Sequence, residues 1–407
     1  KRGEIAALIS WWALLLLSLG YVSLLFAIAH WGDKADPSRF SGPARATIYG
    51  LTLAVYCTSW TFYGAVGTAA ENGWGYLPIY LGPIAVIFFG WGMIHRIVTV
   101  SKRQNLTSIA DFIAARYGKA RSLAVLVTVI ATIGSVPYIA LQLKAVVAGF
   151  DIVSNYSAAG AAQNDTAFVF AAALAVFAIL FGTRKIDVTE HHDGLMLAVA
   201  FESVVKLCAF VAVGMFAWSL LGNSTPAISP EAAERAAAVF RLDHVPDMFM
   251  TQLILASAAI FCLPRQFHVA VVEAYEDANI RPTRWSFPLY LLIFSAFVIP
   301  ITIAGLKMLP TGGFSGDAFV LALPMQGEHT LLTMLAFLGG FSAATSMVIV
   351  ASVALSTMIS NEIVIPALMS IKMLGLSERE DYTRILMHVR RGAIVGIAAL
   401  GYFYLEA

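Results

Sequence analysis

Charge is scarce in this chain of 407 residues: 13% are Asp, Glu, Lys or Arg, 59% are hydrophobic, and the mean hydropathy is +0.78. That balance excludes a soluble globular domain and makes the chain an integral membrane protein. A net charge of +1 excludes a nucleic-acid surface. Cysteine is as thin: Cys57, Cys208 and Cys262 each lie inside an apolar run, so neither a disulfide framework nor a zinc site is suggested. Also missing are a P-loop, a dinucleotide fingerprint, a low-complexity tract and a strand pattern. The first apolar run has no small-residue cleavage site, so it reads as a retained helix and not a signal peptide.

What is present is a series of apolar runs of spanning or near-spanning length, at about 5–30, 47–69, 75–99, 122–149, 168–183, 193–221, 249–271, 286–308, 329–360 and 392–407. They predict ten helices, the last cut short. Nineteen Lys and Arg fall in the odd-numbered connections and three in the even-numbered ones. This bias puts the N-terminus outside, despite Lys1 and Arg2, and 361–391 in the cytoplasm. Soluble elements are few. The 222–248 connection, with EAAERAAAVFRL, predicts a short amphipathic external helix. TSIADFIAARYG (107–118) predicts a short internal helix, N-capped by Thr107 and stopped before Gly118.

The second run departs from an inert span. LAVYCTSWTFYGAVGTAAENGWG carries Thr58, Ser59, Trp60 and Thr61 ahead of Gly64 and Gly67. Such a stretch either breaks at membrane depth, where freed carbonyls become cation ligands, or forms a glycine-rich packing face. Five spans later IFCLPRQFH places Pro264 beside Arg265 and Gln266. Two interrupted helices at that separation are the spacing of a five-helix inverted repeat with the site between its halves.

Ionisable groups inside the membrane are costly unless paired or set on a polar path. Glu202 and Lys206 stand one turn apart in DGLMLAVAFESVVKLCAF, either as an ion pair fixing helix packing or in a transport or sensing role. Tyr138 and Gln142 share a face of GSVPYIALQLKAV and either bind a solute or pack. The EHHD run (190–193) has metal-capable residues at a cytoplasmic helix start, where capping and solvation compete with a metal site. In FSAATSM (341–347), Ser342, Thr345 and Ser346 share one helical face. Close packing and ion ligation both account for them.

GAVGTAAENG, TSIADFIAARYG and SAATSMVIVASVALSTMISNEI together resemble the sodium/solute symporter family. YCTSWTFYGAVG, VPYIALQLKAV, TEHHDGLMLAVAFESVVKLCAF and CLPRQFHVAVVE resemble the branch whose carrier domain forms the N-terminal part of bacterial sensor histidine kinases. The resemblance covers nearly the whole chain. It implies an all-α integral membrane fold, with a five-plus-five inverted-repeat transporter core and one extra N-terminal helix, truncated at the C-terminal end. The whole of 1–407 is then one transmembrane domain: 5–30 is the extra helix, 47–221 the first repeat and 249–407 an incomplete second one.

By the same resemblance, a sodium ion is held by the hydroxyls of Ser342, Thr345 and Ser346 and the backbone carbonyls of Ala54 and Cys57. An all-oxygen site of this kind suits a hard monovalent cation. The solute, a small polar molecule and most plausibly an amino acid, is expected against Thr58, Ser59, Trp60 and Thr61, with Tyr138, Gln142 and Gln266 facing it. Proline carriers have an acidic residue where Tyr56 stands, which leaves a proton route through Asp193 or Glu202 open. ATP, a response regulator and a homodimer are expected only through a kinase region outside this chain, since His191, His192 and His388 lack a phosphoacceptor pattern. The implied location is the bacterial inner membrane. An ion-coupled symporter, a receptor that keeps the carrier fold, and a ligand-free structural module are the three classes to separate.

Overall fold

The computed structural model describes residues 9–35, 42–154, 161–182, 192–222, 234–236, 238–241, 245–274, 281–309, 313–370 and 383–407. Among the described residues all regular structure is helical. Six helices are long and apolar enough to cross a membrane, and two bent pairs add a span each. This is an all-α, multi-pass membrane fold.

The chain begins with α1 (Trp11–Lys34), then α2 (Pro43–Thr52) and α3 (Ala65–Asn72), the two halves of the broken second run. The third run is not straight: α4 (Pro78–Phe89) and α5 (Trp91–Arg103) meet at 74° around Gly90. The short helix α6 (Ile109–Arg116) precedes the long α7 (Arg121–Ser154), α8 (Ala161–Gly182) and α9 (Asp193–Gly222). The second interrupted helix is α10 (Phe249–Cys262) and α11 (Pro264–Phe267), bent by 54°. There follow α12 (Thr283–Met308), α13 (Phe319–Gln326), α14 (Thr330–Met358), α15 (Ile365–Ser370) and α16 (Thr383–Glu406).

The two breaks are built alike. Each turns on an extended residue, Cys57 (ψ 106°) and Leu263 (ψ 124°), and each is followed by a π-turn, Trp60–Gly64 and, after α11, His268–Val272. Leu263 is extended because Pro264 follows it and excludes the α region. The breaks touch: Gln266 Nε2 donates to the Leu53 carbonyl at 3.2 Å, and the Tyr49 hydroxyl to that of Ala270 at 2.7 Å.

Helix α14 forms the centre, with every residue from Gly339 to Met358 buried. Its sequence is apolar nearly all round, the pattern of a helix enclosed by others. Helix α1 lies at the periphery, exposing Leu16, Leu19 and Leu24 while burying Tyr21. It seats on the start of α9, where a Cβ on Gly32 would lie 2.8 Å from the Gly194 Cα and Asp33 Oδ1 accepts from the Gly194 N–H at 3.0 Å.

Several sequence expectations change in detail. Ser108, not Thr107, caps α6: its hydroxyl accepts from the Asp111 N–H at 3.0 Å, while the Thr107 N–H donates to Asp111 Oδ2 at 3.2 Å. The reciprocal pair satisfies two donors that Thr107 alone could not. The last helix starts at Thr383, nine residues before the apolar run at 392, because its first turns are amphipathic. Helix α13, buried from Phe319 to Met325, was not expected: an eight-residue apolar segment is too short to read as a span. Most of the expected external helix after 222 lies outside the described residues, although 234–236 are helical.

Gly340 sits where the α14 backbone meets the Tyr63 ring: a Cβ there would overlap the hydroxyl oxygen and Cζ. Gly340→Ala should destabilise the protein by about 1–3 kcal/mol through overpacking. Gly396→Ala, with nothing within 4 Å of the added carbon, should be neutral or stabilising. Thermal unfolding in detergent checks both; equal melting temperatures would contradict this packing.

Candidate functional site

At membrane depth no water satisfies freed backbone groups, so every donor and acceptor released where α2 breaks needs a protein partner. Each has one. The Leu53 carbonyl takes Gln266 Nε2, and the Ser59 N–H donates to Gln142 Oε1 at 3.0 Å. The Thr58 carbonyl accepts from the Thr61 hydroxyl at 2.7 Å and the Phe62 N–H at 3.1 Å. The Ala54 and Cys57 carbonyls accept from Lys206 Nζ at 2.7 and 2.8 Å.

Ala54, Cys57, Ser342, Thr345 and Ser346, the expected ion ligands, are thus brought to one place, all fully buried. Between the two carbonyls lies the Lys206 ammonium, which also reaches Ser346 Oγ at 3.5 Å. The other two hydroxyls turn to Glu202: that of Thr345 donates to its carboxylate and that of Ser342 to its backbone carbonyl, the latter at 2.9 Å. Tyr21 of α1 donates to Ser342 Oγ at 2.9 Å. The one-turn spacing of Glu202 and Lys206 does not close an ion pair among the described residues. Tertiary partners outcompete it, because the carbonyls and hydroxyls stand nearer the two charges than they stand to each other.

The expected solute face divides in two. Thr58, Ser59, Gln142 and Tyr138 hold one another: Ser59 Oγ donates to Gln142 Oε1 at 2.7 Å, and the Thr58 and Tyr138 hydroxyls meet at 2.9 Å. Thr58, Gln142 and Gln266 are completely buried, and these three line neither of the two larger cavities. Their work here is to hold the break. Trp60 is different: it lines both a cavity of about 280 Å³, with Ser59, Lys144 and Asp317, and one of about 400 Å³. The larger one is also lined by Tyr56, Thr61, Ser135, Tyr138 and Arg265.

Arg265 was not among the expected solute contacts. It is 5% exposed, its Nε has no hydrogen-bond partner, and its guanidinium lies 4.8 Å from the centre of the Tyr138 ring. No Asp or Glu lines its cavity among the described residues. The signal was present in PRQ, a charged residue directly after a helix-breaking proline within an apolar run. Asp193 is the first residue of α9 and borders a recess of about 20 Å³ with Arg45 and Glu273.

At the same end, His192 Nδ1 and Glu273 Oε1 are 2.7 Å apart, and Glu273 Oε2 accepts from the His192 N–H at 3.0 Å. His268 Nε2 approaches the same Oε1 at 3.2 Å. The three donor sets lie within 4.8 Å of one another, close enough for a metal. The geometry shown is a carboxylate tying α9 to the turn after α11. Glu190 and His191 lie outside the described residues.

Among solved structures the chain is similar to one described as the substrate-bound outward-open state of a Na+-coupled sialic acid symporter. The TM-score is 0.67 at 13% identity, over 100% of this chain and 82% of the symporter's. At that identity the likeness shows a shared fold. No family model and no curated protein matches the sequence.

Two outcomes are expected. Gln142→Leu strands the Ser59 N–H and hydroxyl, which should cost about 1–3 kcal/mol, whereas Gln142→Glu keeps the acceptor oxygen. Thermal unfolding of the two variants measures the difference. Burial lowers the His192 pKa, but the charge and hydrogen bond of Glu273 outweigh it, so the group stands above its ordinary 6.5, with Arg390 opposing and Asp33 assisting. A raised folded-state value gives stability that is fully present below the unfolded pKa and lost as pH rises through the folded one. The melting-temperature gap between wild type and Glu273→Gln should therefore narrow as the buffer is taken upward from below 6.5. A gap independent of pH would remove His192 from the account.

Proposed function

We propose that the chain is the solute-binding domain of a symporter-like membrane protein that takes up or senses a small polar molecule bearing a carboxylate, an amino acid being the best fit. Arg265 is the observation that carries this reading. A buried guanidinium facing a cavity is costly without a counter-charge, and the described lining supplies none. A ligand carboxylate would supply it through the paired N–H groups that suit carboxylate geometry. Thr61, Ser135 and the Tyr56 and Tyr138 rings offer hydrogen bonds and apolar cover, and about 400 Å³ holds a small solute.

The two alike breaks support the division into repeats at 47–221 and 249–407, with the site where they meet. Sensing, through a histidine kinase with its ATP and response regulator outside this chain, is supported by the quoted phrases alone. The Lys and Arg distribution supports an N-terminus outside a bacterial inner membrane.

Purified protein should be stabilised against heat by free amino acids and not by their amides or esters. Arg265→Gln should weaken binding at least about 30-fold, the lower end of the roughly 2–5 kcal/mol that truncating a buried charge pair costs, and Arg265→Lys should weaken it less. Indifference to capping of the carboxylate would sink the reading. Isotope uptake into proteoliposomes then separates a carrier from a receptor.

A further inference from the structure

The Ala54 and Cys57 carbonyls and the hydroxyls opposite them are the oxygens that the symporter resemblance gives to sodium. As folded, they do not fit that ion. An ammonium has three donors, and those of Lys206 have three acceptors: the two carbonyls at 2.7 and 2.8 Å and Ser346 Oγ at 3.5 Å. Lys206 is 0% exposed, so no water competes for it. The remaining two expected ligands are engaged elsewhere, Thr345 and Ser342 both donating to Glu202. A second cation on the same two carbonyls would meet the first at contact distance in a low-dielectric interior, where like charges repel strongly.

We propose that Lys206 is a tethered cation that takes the place of a sodium ion at the α2 break, so that the chain assembles this site from its own residues and needs no sodium there. An ion that enters from solution couples the break to the sodium concentration outside. An ammonium fixed to α9 does not, and it joins α2, α9 and α14 whatever that concentration is. Local charge is consistent with this arrangement. Glu202 stands one turn away with hydroxyl partners, so the site holds one fixed cation and one carboxyl group. Arg265 at the other break is left as a positive group facing the cavity of about 400 Å³. The inference concerns the cation site and stands whether or not Arg265 binds a carboxylate.

The test needs no solute. Melting temperatures of the purified chain in detergent are compared in sodium chloride and choline chloride at equal ionic strength. Wild type should be indifferent to the exchange. Lys206→Ala frees both carbonyls and leaves room for an ion, so it should be less stable in choline and should gain stability with rising sodium, as binding to the folded state requires. Adding Ser346→Ala should abolish that gain. Sodium-dependent stabilisation of wild type that Thr345→Ala or Ser346→Ala removes would overturn the proposal. So would a folded Lys206→Ala that gains nothing from sodium. If Lys206→Ala does not fold, direct binding of radioactive sodium to wild type decides alone: saturable binding abolished by Ser346→Ala refutes the tethered cation, and its absence upholds it.

Discussion

Backbone that leaves the helix at membrane depth must find its partners inside the protein, and at the α2 break one ammonium takes the Cys57 carbonyl and adds a second bond to the Ala54 carbonyl, which also accepts from the Cys57 N–H at 2.9 Å. Lys206 reaches Ala54 and Cys57 from α9, Gln142 reaches Ser59 from α7, and Gln266 reaches Leu53 from the opposite break. Hydrogen bonds to charged groups contribute about 1.5–3 kcal/mol each, more than neutral ones. Leaving a carbonyl such as that of Cys57 unmet in a bilayer costs several kcal/mol. Three helices are therefore positioned by what the interrupted one lacks.

The two breaks differ in how their cations are used. Lys206 is closed upon backbone carbonyls, with no exposed surface. Arg265 stands against a cavity wall and a tyrosine ring, with its Nε unmet. One break is thus closed by a cation reaching in from α9, while the other carries its own cation beside a cavity. Trp60, which lines both larger cavities, stands between the two spaces a solute could occupy.

The outermost element is tied to the same centre. Helix α1 sends the Tyr21 hydroxyl to Ser342, and Ser342 in turn donates to the Glu202 carbonyl. The Gly32–Gly194 approach makes that reach possible by letting α1 lie close against α9. Glu273 ties the start of α9 to the turn after α11 through His192. The five hydroxyl and carbonyl positions of the cation site therefore rest on contacts from helices distant in the chain.

Much of this was legible in the residues. Apolar runs, sparse charge and the Pro264 break predict a helical membrane protein with two interrupted helices, because run length and proline sterics are local properties. The helical face shared by Ser342, Thr345 and Ser346 is also local, and their meeting with Ala54 and Cys57 was expected from family resemblance. The partners of Lys206 were not legible. A spacing of four residues favours Glu202 as strongly as sequence can express, and only the arrival of α2 and α14 offers each charge something better. Arg265 was visible as an odd residue, yet its want of a carboxylate is a statement about everything that surrounds it. Composition and periodicity determined that the chain spans a membrane and where it breaks; the tertiary structure decided which groups satisfy the breaks, because that depends on distances between segments far apart in sequence.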